Sequence, residues 1–102
     1  MTNNPWELYS SMPGWEAVSD RLDSATNAAL VEMDRNIAGG ATIPVAAVVA
    51  FKAVSSIMAV NSEFGALDSE PRGHLGGLIG KHIRLRYGVT FLVDRFGDCY
   101  EA

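Results

Sequence analysis

Between Gly39-Gly40 and Gly65 runs an apolar stretch, IPVAAVVAFKAVSSIMAVNSEF, and the state it adopts decides what this chain can become. Alanine and methionine are abundant in it, and both favour helix because they lose little side-chain freedom on ordering. Thr42 stands where a helix cap belongs, and Pro44 falls in the first turn, where its missing N–H costs nothing. The polar positions Lys52, Ser55, Ser56 and Glu63 make only a narrow stripe, so a helix here is expected to be the buried centre of the domain. Valine and isoleucine are also frequent, and two strands over 42–50 and 56–60 are the competing reading, since short apolar runs are ambiguous by periodicity. Five alanines between 46 and 59 weigh against strands. One helix, about 43–62, is the expectation. Lys52 near the middle, with Ser55 and Ser56, makes the stretch a poor membrane span.

The preceding segment is simpler. Asn4-Pro5-Trp6-Glu7 has the composition of a helix start, which predicts a short N-terminal helix with Trp6 and Tyr9 lidding the core. After a break at Ser11-Met12-Pro13-Gly14, the residues Trp15, Val18, Leu22, Ala25, Ala29, Met33 and Ile37 recur at three and four. That spacing predicts a long helix, about 13–38, with one apolar face, stopped by Gly39-Gly40. Asp20, Asp23, Ser24, Asn27, Asp34 and Arg35 fall on the other face and read as solvated.

The C-terminal third differs in charge and in pattern. Through residue 70 there are three Lys and Arg against nine acids; from residue 71 on there are five against three. A local basic patch on an acidic body follows, rather than a field suited to nucleic acid over the whole surface. Asp68-Ser69-Glu70-Pro71 reads as a loop or turn with a ready cap. Residues 83–87 alternate apolar and polar, and 89–93 are β-branched and aromatic, so both read as strand. Asp94-Arg95-Phe96-Gly97-Asp98 suits a hairpin turn, with 99–101 returning. The chain is therefore expected to be one α+β domain over 1–102, ending in an antiparallel β-hairpin or small sheet.

Catalytic chemistry finds little to use. No nucleophile elbow, phosphate loop or zinc-binding motif occurs. His74 and His82 read as a loop surface and a strand edge, and the single Cys99 has no base beside it to activate it. Asp94, Asp98 and Glu101 cluster at the hairpin, where turns favour aspartate for its local hydrogen bonds. No catalytic residue, metal ligand or cofactor is expected. The lone cysteine and the absence of a leader suggest a cytoplasmic setting, of the bacterial or phage kind where short inhibitors and adaptors are common.

Two features of the basic segment point to binding. Gly73-His74-Leu75-Gly76 and Gly77-Leu78-Ile79-Gly80 are both GxxG, each with an isoleucine three residues on, as in loops of KH domains that admit a nucleic-acid backbone. On a helix the same four glycines share one face and permit close packing. Further, Pro71-Arg72-Gly73 followed by Ile79-Gly80-Lys81-His82-Ile83-Arg84-Leu85-Arg86-Tyr87, with Phe91 and Asp94, resembles the C-terminal part of ribosome-binding factor A. The resemblance implies a KH-like fold and an RNA-binding role in small-subunit maturation, with residues 74–83 helical. An ungapped extension of it also implies strands over 42–50 and 56–60. The residues alone favour a non-enzymatic protein that docks on a larger protein or nucleoprotein complex. The expected contact residues are Arg72, Lys81, Arg84, Arg86, Tyr87 and Arg95, because Arg and Tyr are common interface anchors. RNA through this basic segment, or a homodimer, are the other open partners, and a membrane is not expected.

Overall fold

A computed structural model describes the backbone of residues 15–60 and 69–101 and the side chains of 19–57 and 72–101. The short N-terminal helix expected from Asn4 onward lies outside these described residues. Three helices, α1 (Trp15–Ala38), α2 (Ile43–Val60) and α3 (Ser69–Tyr87), precede two strands, β1 (Phe91–Val93) and β2 (Cys99–Glu101). The class is α+β, rich in helix.

α1 and α2 form an antiparallel pair whose link explains itself. Gly40 takes a φ of 110°, and the N–H groups of Gly40 and Ala41 reach back to the carbonyls of Ile37 and Asn36 at 3.1 and 2.9 Å. This pairing is the Schellman closure of a helix by a left-handed glycine. Thr42 then caps α2, its side-chain oxygen accepting from Val45 N at 3.4 Å. Leu22, Ala29 and Met33 of α1 are buried against Ala46, Ala47, Ala50, Phe51 and Val54 of α2. The small alanines let the two helices approach closely. Residues 43–60 are therefore one helix, and the strands expected over 42–50 and 56–60 in the KH-like alternative do not form. The alanines prevail over the branched residues, as propensity predicts. The helix is less enclosed than its composition suggests: Val45 and Val49 are 57% and 49% exposed.

The larger correction concerns α3. Ser69, Glu70 and Pro71 belong to its first turn rather than to a loop, with Pro71 at a position where a helix tolerates it. Residues 83–87 continue the helix instead of forming a strand, and strand begins only at Phe91. Leu75, Ile79 and Ile83, spaced by four, are fully buried, while Leu85 is 71% exposed. Those positions follow a 3.6-residue period, and the alternation between 83 and 87 merely coincides with it over a short window. Gly88, at φ 71°, ends α3 by donating its N–H to Arg84 O at 3.0 Å.

The hairpin pairs Leu92 with Tyr100 and Val93 with Cys99. Its turn is the expected one. Gly97 takes φ 87°, and Asp94 Oδ1 accepts from the N–H groups of Phe96 and Asp98 at 2.9 and 3.0 Å. A strand pair this short is not stable alone and needs a platform. Gly97 lies flat on Phe51 of α2, where an added Cβ would meet the ring at 2.7 Å. β1 lies along the glycines of α3. A Cβ at Gly76 would fall 3.0 Å from the Val93 carbonyl carbon and closer still to its oxygen, and one at Gly80 would fall 3.2 Å from Phe91 O. The helix thus covers the free edge of β1. Gly73 and Gly77 face open space, so only half of the glycine face is used for this packing.

Candidate functional site

Because α3 is a helix to Tyr87, its period distributes the basic residues over different faces. The six expected contact residues do not form one surface. Lys81 and Arg84 lie beside Gly77 and Gly80 on the outer stripe, with β1 alongside. Together with Gly76, Thr90, Phe91, Leu92 and Val93 they line an open groove of about 270 Å³. Leu92 and its partner Tyr100, 51% and 48% exposed, extend an apolar surface beyond it. Neither Lys81 nor Arg84 meets an acid among the described residues.

Arg86 and Tyr87 turn the other way, to Asp34 of α1. Tyr87 donates its hydroxyl to Asp34 Oδ1 at 2.5 Å, His82 Nε2 lies 3.0 Å from the same oxygen, and Arg86 Nε pairs with Oδ2 at 3.1 Å. The carboxylate is only 20% exposed. Burial pushes its pKa up, but the hydrogen bonds from Tyr87 and His82 and the charges of His82 and Arg86 outweigh that and hold it below the usual 3.8. The bond to Asp34, with some burial and the negative charge of Asp34, raises the pKa of the Tyr87 phenol above 10.0. This cluster fastens the end of α1 to the end of α3. Asp34 is therefore not part of a solvated acidic face, and His82 is not at a strand edge. Asp34 stands between the half-buried Leu30 and Ile37, four before and three after it, and that apolar bracket was the available signal.

The remaining two residues are scattered. Arg95 sits over the Phe96 ring at the hairpin tip, 5.1 Å from its centroid. Arg72 is half-buried near the start of α3, and His74 is likewise half-buried in that helix rather than on a loop. Cys99 is half-buried, and burial pushes its thiol above the usual 9.0, so it is a poor nucleophile at neutral pH. Asp94 is occupied by its own turn. Among the described residues no three His, Cys, Asp or Glu side chains converge as metal ligands. No described helix is long and apolar enough to cross a membrane.

The fold is a helix pair closed by a third helix that seats a short hairpin, and a mixed basic and apolar groove lies at that seat. Comparison of the chain with protein-family models, with curated proteins and with solved structures finds no match to any of them.

Proposed function

We propose that the chain is a non-enzymatic binding protein that docks on a larger protein through the α3–β1 face. One observation carries this reading: Lys81 and Arg84 have no acidic partner among the described residues and stand beside an exposed apolar pair, Leu92 and Tyr100. Arginine and tyrosine are common anchors of protein interfaces, and Arg84 and Tyr100 supply one of each here. Arg86 and Tyr87 do not belong to this surface, since Asp34 engages both.

Affinity capture with the tagged protein, under nuclease treatment, tests the reading. The expected result is a protein partner that survives nuclease and is lost with the charge reversals Lys81→Glu and Arg84→Glu. Capture of a ribosomal subunit or RNA that nuclease releases, with affinity falling steeply in salt, would refute it in favour of the KH-like RNA-binding role. Capture of no partner would refute it outright.

A further inference from the structure

We infer that the groove between α3 and β1 receives an acidic peptide segment of a partner protein, with one apolar side chain entering over Gly77 and flanking carboxylates meeting Lys81 and Arg84. This inference rests on the docking reading above and specifies its ligand. Three properties of the groove select that ligand.

The first is size. At about 270 Å³ the groove falls below the usual range for sites that enclose a cofactor or a metabolite, and it is open along one side. It suits a side chain presented by a passing chain. The second is chemistry. Its floor is the bare backbone of Gly77 and Gly80, its far wall is Leu92 and Val93, and among the described residues its charged lining is Lys81 and Arg84. An apolar residue between carboxylates complements that arrangement, whereas a basic or purely polar segment does not. The third is charge in context. Two cations on a body of net charge −4 are too few to hold a nucleic-acid backbone, whose binding requires several phosphates to be neutralised at once.

Gly77 makes the inference testable without disturbing the fold. A Cβ there meets nothing within 4 Å, and the residue is exposed, so a larger side chain can stand in the groove while α3 stays intact. Gly73 is equally open, does not line the groove, and serves as the control.

Selection of a random-peptide display library on the folded protein is the experiment. The expected result is enrichment of sequences in which Asp or Glu flanks a large apolar residue. Amide shifts on titrating such a peptide should centre on Gly77, Gly80, Arg84 and Leu92. Gly77→Leu, and separately the double variant Lys81→Glu, Arg84→Glu, should each weaken binding by about tenfold or more, the effect of losing a hot spot. Gly73→Leu should not. No enrichment, enrichment of basic or uncharged sequences, or equal binding by Gly77→Leu and the charge-reversed variant would overturn the inference. So would stronger shifts of the same amides by a single-stranded RNA, or by dilution of the protein alone, which would mark RNA or a second copy as the occupant. The docking reading fails separately: a captured partner that is indifferent to Gly77→Leu leaves docking standing and removes the groove from it.

Discussion

Replacing Asp34 by alanine removes the acceptor that Tyr87, His82 and Arg86 share, and the size of the loss follows from how exposed each group is. Hydrogen bonds to a charged acceptor contribute more than neutral ones, and Asp34 itself is mostly enclosed. Arg86 is 61% exposed, so its ion pair adds little. The net cost of Asp34→Ala is about 2 kcal/mol, which for a domain of this size lowers Tm by about 10 °C. Chemical denaturation followed by circular dichroism measures it.

The pH dependence is specific to this mechanism. Asp34 has a folded pKa below 3.8, so the unfolded chain takes up the proton first as pH falls. The stabilisation is complete above the unfolded value and disappears as pH drops through the folded one. Wild type and variant should therefore differ near neutral pH, and the difference should shrink as pH falls below 3.8 and through the lower folded value. Tyr87→Phe should destabilise the wild type and have no further effect in Asp34→Ala, which marks the two groups as coupled. A loss under about 0.5 kcal/mol at neutral pH, or a difference that does not shrink at all as pH is lowered below the ordinary carboxylate value of 3.8, would refute the reasoning.

Two other expectations concern the hairpin and its seat. Gly76→Ala drives a methyl into the Val93 carbonyl and should cost about 1–3 kcal/mol, the range for overpacking. Gly77→Ala, one position on in open space, should instead stabilise the helix by about 0.5–1 kcal/mol; thermal melts of the pair give the contrast directly. Alkylation of Cys99 by iodoacetamide should be slow at neutral pH and keep accelerating as pH rises past the ordinary thiol value of 9.0, and a fast reaction at neutral pH would contradict its burial.

The elements whose determinants are local were legible from the residues. Gly39-Gly40, Thr42 and the alanines of α2 define the helix pair by short-range chemistry, and Asp94 with Gly97 defines the hairpin turn. The segment 83–87 was not legible in the same way. Four glycines lower the helix propensity of the residues before it, and over five positions an alternating pattern and a helical one overlap. What keeps it helical is burial of Leu75, Ile79 and Ile83 beneath α1 and α2, a tertiary effect. The misreading had a direct consequence for the site. A strand would have put Arg84 and Arg86 on one face and Tyr87 on the other, but the helix sends Arg84 with Lys81 to the groove and Arg86 with Tyr87 to Asp34. That acid lies 48 residues before His82, and the apolar neighbours Leu30 and Ile37 signal its enclosure but not its partners.

The backbone of β1 resting on α3 also limits how the chain can evolve. Buried positions such as Ile79 or Val54 can exchange one aliphatic for another while relatives diverge beyond recognition by overall similarity. Gly76 has no such substitute, because even the smallest side chain would lift the hairpin away from the core. A descendant or distant cousin of this protein should thus carry a faint but rigid signature. On its last long helix it would have a glycine at the place of Gly76, another four residues on, and a tyrosine seven residues after that one, answered by an acid on the first helix.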